Sequence, residues 1–99
     1  MFGFLFKKRR QHIKIIRDAI DLLSGKSTEA LYQDCVDFLE HNEPQLALDI
    51  VLDQFLENEW EISDSGFETL QAAWELLDMP EKDLKLILRE LPQDDIETK

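Results

Sequence analysis

The chain has 99 residues, of which 43% are hydrophobic and 33% charged, and its formal net charge at pH 7 is −11. This length and composition suffice for one domain with a modest hydrophobic core and argue against general disorder. The acidic balance argues against a general nucleic-acid binder, which needs basic side chains to contact phosphates.

The amino-terminal segment MFGFLFKKRR places a six-residue apolar run before four basic residues. A secretory signal peptide has the opposite order and a longer apolar run, and this run is too short to span a bilayer. We therefore expect the segment to pack onto the domain or to fray. A membrane-associated regulator that uses FGFLFKKRR is kept as a third functional alternative.

Helical periodicity marks five segments. The first ends at Ser24-Gly25, because glycine is favoured at the left-handed position that closes a helix. The second helix begins after a capping residue, Ser27 or Thr28, and runs to about His41. One face of this helix is apolar and the opposite face is mostly acidic. The residues expected on the inward face of the first helix are Ile13, Ile16, Ile20 and Leu23.

The third predicted helix opens at Pro44, a residue favoured at the first helical position. It is apolar nearly all round, so we expect it to be central and buried on most sides. Only a narrow strip, formed by Asp49, Asp53 and Glu57, is expected to reach water. At this spacing like charges repel by roughly 0.2–0.5 kcal/mol per pair.

Two serines compete to start the fourth helix. Ser65 with Glu68 three residues later fits a capping box, and Ser63 is the alternative start. The inward residues are expected to be Phe67, Leu70, Trp74 and Leu77.

The fifth helix is predicted from Pro80 to Pro92, with Leu84, Ile87, Leu88 and Leu91 inward. No alternation of period two predicts a strand. We therefore expect an all-α fold, a compact bundle of about five short antiparallel helices. It forms a single domain over residues 1–92, and residues 93–99 are a flexible tail.

Charge is segregated along the chain. Residues 1–26 hold seven basic and two acidic side chains, whereas residues 27–81 hold fifteen acidic ones and no lysine or arginine. One interpretation is a solubilising acidic surface. The other is a surface shaped for a strongly basic partner, whose complementary field speeds association.

No residue pattern indicates an enzyme. His12 and His41 fall on different helices, the glycines are isolated, and no HExxH, ExxH or CxxC spacing occurs. The fragment SDSG around Asp64 lacks the other ligands of a calcium loop. We expect no catalysis, no cofactor and no metal. A single cysteine, Cys35, fits a reducing cytoplasm and a buried structural thiol.

The segment FLEHNEPQLALDIVLDQFLENEWEISDSGFETLQAAWELLDMPEKDLKLIL resembles the MafI family of bacterial immunity proteins, with the resemblance spanning about residues 28–88. Members of that family are short all-helical chains. A break between two of their helices has a sequence like GEYGLALE, a later helix starts at a hydrophobic residue followed by serine, and a break near the end of the chain has a sequence like LGL. The corresponding features here are HNEPQLALD, Ile62-Ser63 and LDMP. Asn42 stands where the family has glycine, and asparagine is the next-best left-handed helix stop. Pro44 replaces an aromatic residue.

This resemblance implies an immunity protein that neutralises a toxin delivered between bacteria, as in contact-dependent growth inhibition, where many toxins are EndoU-type RNases. An acidic helical surface would cover the basic RNA groove of the toxin in a 1:1 complex, with no direct nucleic-acid contact and no stable membrane insertion. Trp60 is a candidate aromatic anchor, with packing under the following loop as the alternative. The expected contact set is Asp34, Asp37, Glu40, Glu43, Asp49, Asp53, Glu57, Glu59, Trp60, Glu61, Asp64 and Glu68.

A second interpretation is a non-enzymatic helical adaptor. The stretch LEHNEPQLALDIVLDQF is similar to one tetratricopeptide hairpin, although no second copy follows at a spacing of 34 residues. Such an adaptor would bind a peptide with little salt dependence, whereas a nuclease inhibitor would associate at a strongly salt-dependent rate.

Overall fold

The computed structural model describes the backbone of residues 2–90 and the side chains of residues 10–88. A single 3₁₀ turn, Asp21–Leu23, follows the first helix. No strand occurs within residues 2–90, and the predicted all-α bundle is confirmed. The predicted tail, Leu91 and Pro92 lie outside the described residues. The helices are α1 (Phe2–Ile20), α2 (Glu29–Glu40), α3 (Pro44–Glu57), α4 (Asp64–Leu76), α5 (Glu81–Leu84) and α6 (Leu86–Glu90).

Two helices begin at hydroxyl caps. The Thr28 hydroxyl accepts a hydrogen bond from the backbone N–H of Leu31 at 3.2 Å, so Thr28 caps α2. The Ser63 hydroxyl accepts from the N–H of Gly66 at 3.0 Å and caps α4. The start at Ser63 is therefore correct and the capping box at Ser65 is wrong, because Ser65 already lies in the first turn of α4.

The ends of α2, α3 and α4 share one geometry, the Schellman motif, in which a left-handed residue reverses the chain. The left-handed residues are Asn42, Glu59 and Asp78, with φ angles of 63°, 53° and 57°. At each end the N–H of the following residue bonds a carbonyl in the last turn: Glu43 to Phe38 at 2.7 Å, Trp60 to Phe55 at 3.1 Å and Met79 to Trp74 at 3.1 Å. The predicted left-handed stop at Asn42 is confirmed. The left-handed conformations of Glu59 and Asp78 were not predicted.

Because Asp78 holds a left-handed conformation with a Cβ atom present, we expect Asp78→Gly to raise the free energy of unfolding by about 0.5–1 kcal/mol. Ala72→Gly is the matched control, since Ala72 is exposed in the interior of the same helix. There glycine should lower the free energy of unfolding by about 1 kcal/mol. Urea denaturation measures both changes. A loss of stability in both variants would show that Asp78 carries no such strain.

The core forms where α1, α3 and α4 meet, with α2 and the two short helices closing its sides. Helix α3 contributes more buried side chains than any other helix in the described part, so its predicted central position is confirmed. The buried residues are Ile16, Ala19, Ile20, Leu23, Cys35, Val36, Ala47, Leu48, Val51, Leu52, Phe55, Leu70, Ala73, Trp74, Leu84 and Ile87.

Three apolar side chains depart from the predicted burial. Leu46 is 45% exposed and shares the outward face of α3 with the acidic strip, which is therefore partly apolar. Ile13 and Leu88, both predicted to point inward, are 40% and 39% exposed. The periodicity placed Ile13 on the correct face of α1, but the end of α4 and the turn between α2 and α3 leave a cleft beside it.

The predicted fifth helix is in fact two short helices, α5 and α6, separated by Lys85. The break is a local tightening of the chain, in which the N–H of Leu88 bonds the carbonyl of Lys85, three residues earlier, at 3.1 Å. Apolar residues spaced three and four positions apart continue through such a turn without interruption. Periodicity alone therefore predicts one helix there.

The helices pack largely in chain order. Each of α1 to α5 contacts the next helix in sequence, and α4 returns to lie against α1. Polar contacts join α2 to the end of α1: the Tyr32 hydroxyl donates to an Asp21 carboxylate oxygen at 2.6 Å and accepts from Arg17 at 3.3 Å. Two ion pairs lie along the same stretch of chain: Lys14–Asp18 at 2.9 Å within α1, and Arg17–Asp21 at 3.5 Å between α1 and the 3₁₀ turn.

Candidate partner-binding surface

We call the eleven predicted contact carboxylates the acidic surface, and all of them are exposed. None of them is in an ion pair within the part of the chain that the structure describes. Both pairs observed there join residues of α1 and of the 3₁₀ turn that follows it. The folded protein therefore presents negative charge that its described cations do not neutralise. The acidic surface consists of Asp34, Asp37 and Glu40 on α2, Glu43 in the next turn, Asp49, Asp53 and Glu57 on α3, Glu59 and Glu61 in the connection to α4, and Asp64 and Glu68 on α4.

The strip on α3 extends onto a neighbouring helix. Partial burial raises the pKa of Asp49, and the negative charges of Asp53 and Asp83 raise it further. Asp83, at the half-buried side of α5, is thus close enough to repel Asp49. Asp83 was not predicted as part of this surface, because it stands between Lys82 and Lys85 in a segment whose charges nearly cancel.

Because the folded protein raises the pKa of Asp49 above its ordinary value of 3.8, ionisation of this carboxyl lowers stability as the pH rises through the folded-state pKa. At pH 7, Asp49→Asn should raise the free energy of unfolding by about 0.2–0.5 kcal/mol, the size of one like-charge helical pair. Below pH 3.8 the carboxyl is protonated in both states, and the advantage should vanish.

Urea denaturation at pH 7 and pH 3 tests this expectation. Glu61→Gln is the matched control, since it removes one exposed carboxylate from the connection between α3 and α4, where no helical neighbour stands one turn away. It should change stability less than Asp49→Asn does. An Asp49→Asn variant that is less stable at pH 7 than the unmutated protein would contradict the proposed repulsion.

Trp60 is half-buried and packs against the end of α3. Its ring meets the Phe55 ring edge to face, with centroids 5.4 Å apart and planes at 89°. The ammonium nitrogen of Lys26 lies over the same ring, 5.7 Å from its centroid and within cation–π range. An apolar contact of this kind often accompanies the Schellman motif, so packing is enough to explain the position of the Trp60 ring. The ring is nevertheless partly exposed, and its neighbours in the sequence are the acidic residues Glu59 and Glu61. Its role as an anchor stays a prediction.

A cleft of about 310 Å³ opens where α1 passes the turn between α2 and α3 and the end of α4. Its walls are mostly apolar, and it adjoins the acidic surface because Glu40 belongs to both. No sequence pattern predicts this cleft, because its walls come from residues far apart in the chain. The residues that line it are His12, Ile13, Ile16, Leu39, Glu40, Asn42, Pro44 and Leu77.

The Cys35 thiol and the His41 imidazole both contact backbone carbonyl oxygens of neighbouring residues. Cys35 is buried with its sulfur 3.9 Å from the carbonyl oxygen of Ala47, and burial, with a contribution from the Asp34 charge, raises its pKa to about 11. The thiol is therefore protonated at neutral pH. Nδ1 of His41 lies 2.8 Å from the carbonyl oxygen of Asp37. Among the described residues, no group of three or more potential ligands is placed to hold a metal ion.

No helix in residues described by the structure combines the length and apolar character that crossing a membrane requires. Comparisons with models of protein families, with curated proteins and with solved structures find no match to this chain. The MafI-family resemblance therefore stays a hypothesis, and the function is inferred from the residues and geometry of the chain itself.

Proposed function

We propose that this protein is an immunity protein that binds a basic toxin domain in a 1:1 complex and blocks its RNA-binding groove. The observation that carries this proposal is the acidic surface, whose eleven carboxylates are exposed and form no ion pair within the described side chains. An RNase grips its substrate through basic side chains that contact phosphates. Exposed carboxylates on rigid helices offer the same groups a competing set of negative charges.

The acidic surface also opposes folding, which favours a role in binding over simple solubility. Asp49, Asp53 and Glu57 repeat every fourth residue on α3, and the raised pKa of Asp49 reflects repulsion from Asp53 as well as burial. A solubilising surface needs net charge but not charges that face one another along one helix. A basic partner relieves this repulsion when it binds.

Neutralisation would proceed by occlusion. Long-range attraction draws the basic groove toward the acidic surface, and short-range contacts then hold the two proteins together. Because three of the helices already position most of these carboxylates, little ordering of the backbone is needed on binding. The protein itself performs no reaction in this mechanism, and the toxin's identity as an EndoU-type RNase follows only from the resemblance. We place the encounter in the cytoplasm, where RNA is the substrate.

The direct test is co-expression of the chain with the C-terminal domain of the protein encoded immediately upstream. If that domain alone stops growth and degrades RNA, co-expression should restore both, and a stable 1:1 complex should be recovered. If the domain is harmless, or stays lethal in the presence of this chain, the proposal fails at that locus. A variant with Asp49, Asp53 and Glu57 replaced by lysine is the control for loss of protection.

A second candidate function is a helical adaptor, favoured by the mostly apolar cleft beside the α2–α3 pair. An adaptor would bind an apolar peptide in this cleft with an affinity that changes little with salt. A toxin inhibitor that uses the acidic surface should instead lose most of its association rate as salt increases, because the Debye length falls from about 10 Å at 0.1 M to about 3 Å at 1 M. Binding rates at these two salt concentrations distinguish the candidates.

A further inference from the structure

We propose that the amino-terminal segment of α1, residues 2–10, docks reversibly on the surface of an anionic phospholipid membrane. Its apolar residues would enter the membrane–water interface, and its basic residues would contact the phosphates of the headgroups. The helix would lie on the membrane and would not cross it. This inference does not depend on the proposed function, because the segment lies outside the acidic surface.

Helix α1 extends beyond the end of the bundle that its neighbours form. Around the cleft, α2 and α4 end and α3 begins, and the α1 residues at that level are His12 and Ile13. The α1 backbone is helical from Phe2, ten residues before His12, which is about 15 Å along the helix axis. Within residues 10–20, the first buried residue is Ile16. The bundle therefore encloses α1 from about Ile16 onward, and the helix axis carries the amino-terminal segment beyond it.

The residue types of the segment are those of a helix that lies in a membrane–water interface. Residues 2–6, FGFLF, include four large apolar residues, and residues 7–10, KKRR, are all basic. Among the four longest helices, α1 separates apolar from polar residues most strongly around its axis, yet it is on average the least hydrophobic. Interfacial helices combine these two properties, with phenylalanine or leucine on one side and lysine or arginine on the other.

The whole beginning of α1 is positively charged. Residues 1–17 hold six basic residues and no acidic one. Two of the six, Lys14 and Arg17, pair with carboxylates that follow them in the chain. The other four are the consecutive residues 7–10, and a cluster of four lysines and arginines on an amphipathic helix is sufficient to attract it to anionic lipids. The apolar run and the basic run together supply the two contributions that stable attachment to a membrane requires.

Three carboxylates occur at the same end of the bundle. Glu40 lines the cleft, and Glu43 and Asp78 adjoin residues that line it, so all three lie near the level of His12. Residues 7–9 precede His12 by three to five positions, which places them about 5–8 Å further out along the helix axis. The membrane would therefore meet the basic run before it meets these carboxylates.

The acidic strip on α3 lies toward the opposite end. Ile13 and Pro44 line the cleft at one end of the bundle, and Lys26 and Trp60 meet at the other. Helices α1 and α3 therefore run in the same direction, and α3 leads away from the amino-terminal segment. Because the Debye length is about 8 Å at physiological ionic strength, solvent ions screen most of the repulsion between this strip and a membrane at the far end.

The apolar run distinguishes a membrane from other acidic partners. Nucleic acid offers phosphates but no apolar layer that could take up four large apolar residues. A second copy of this chain offers the carboxylates of α3, but Leu46 is the one large apolar residue of α3 that is exposed among them. An anionic bilayer offers both negative headgroups and an apolar layer beneath them.

The experiment is flotation of the purified full chain with vesicles of phosphatidylglycerol and phosphatidylcholine, compared with vesicles of phosphatidylcholine alone. The chain should float with the anionic vesicles and not with the neutral ones, and high salt should release it. Lys8→Glu combined with Arg9→Glu should lower the ratio of bound to free protein at least about ten-fold. Phe4→Ser combined with Phe6→Ser should lower it several-fold without any change in charge.

Lys82→Glu combined with Lys85→Glu is the matched control. Both lysines are exposed, lie far from α1 in the sequence, and give the same change in net charge as the Lys8 and Arg9 variant. The control should keep the ratio of bound to free protein within about two-fold of the unmutated chain. Circular dichroism establishes that each variant is folded.

The proposal is overturned if the anionic vesicles do not float the chain, or if the neutral vesicles float it equally well. It is also overturned if the control loses as much binding as the Lys8 and Arg9 variant, since net charge alone would then explain the loss. If vesicles do not bind but the chain shifts the mobility of single-stranded RNA, the segment binds nucleic acid instead. If light scattering shows a dimer that the Lys8 and Arg9 variant dissociates, again without vesicle binding, the segment binds a second copy. Either result overturns the membrane proposal and leaves the proposed function, which co-expression tests, untouched.

Discussion

Replacement of Asp49, Asp53 and Glu57 by lysine is expected to slow association with the proposed partner, a basic toxin domain, by about ten-fold to a thousand-fold at low salt. All three carboxylates are exposed on one face of α3 and form no ion pair within the described residues, so they act through the field they project into solvent. Stability should change by less than about 1 kcal/mol, because the substitutions replace one set of like-charged neighbours with another. Stopped-flow kinetics measures the association rate.

The matched control replaces Glu29, Glu75 and Glu81 by lysine. These glutamates are also exposed but lie outside the acidic surface, and the change in net charge is the same. Association of this control should be slowed much less, and 1 M salt should nearly abolish the difference between the two triple variants. Equal association rates in the α3 variant and the unmutated chain would count decisively against the α3 surface. Equal slowing in both variants would assign the effect to net charge alone.

Trp74→Ala is expected to lower the free energy of unfolding by about 3–5 kcal/mol, the usual loss for a buried aromatic side chain. Trp74 is 1% exposed in the centre of the core. Its indole N–H also donates to the carbonyl oxygen of Pro80 at 2.7 Å, which fixes the chain that enters α5. Against a typical total stability of about 5–15 kcal/mol, this loss removes between about one fifth and all of the free energy that holds the fold together.

Two further variants separate the contributions of volume and hydrogen bonding. Trp74→Phe keeps an aromatic ring but leaves the Pro80 carbonyl without this donor, and should cost about 1–3 kcal/mol. Trp60→Ala removes the same side chain from a half-buried site, and should cost less than Trp74→Ala. Urea denaturation followed by circular dichroism measures all three variants. A loss below about 1 kcal/mol for Trp74→Ala would contradict a closely packed core at this position.

Local signals predicted most of the helix boundaries because their physical causes are local. Pro44 starts α3 through its fixed φ angle, and Thr28 caps α2 through a bond to a residue three positions later. The choice between Ser63 and Ser65 was not decided by the residue types, since either hydroxyl can cap a helix; in the structure it is the Ser63 hydroxyl that accepts from the N–H of Gly66. Gly66 lies so close to its neighbours that a Cβ atom there would stand 3.1 Å from a side-chain carbon of Ile62, within the first turn that begins after Ser63.

The part of the candidate site that lies on a single helix could be predicted from the sequence. Periodicity alone placed Asp49, Asp53 and Glu57 on the outward face of α3, where the structure has them. The approach of Asp83 to Asp49 and the cleft beside Ile13 depend on how distant segments pack, which no single helical pattern encodes. The left-handed helix ends at Glu59 and Asp78 were not predicted, since neither residue is the glycine or asparagine usual at that position.

The packing of successive helices against one another has a kinetic consequence. Most contacts join segments close in the chain, and the return of α4 to α1 is the main long closure in the described part. Chains of such low contact order fold in microseconds to milliseconds, whereas ribosomes add only about 5–20 residues per second. A newly synthesised molecule should thus complete its fold almost as soon as its last helix has left the ribosome. If the protein acts as proposed, the rate of its synthesis and not the rate of its folding would limit how soon a cell is protected.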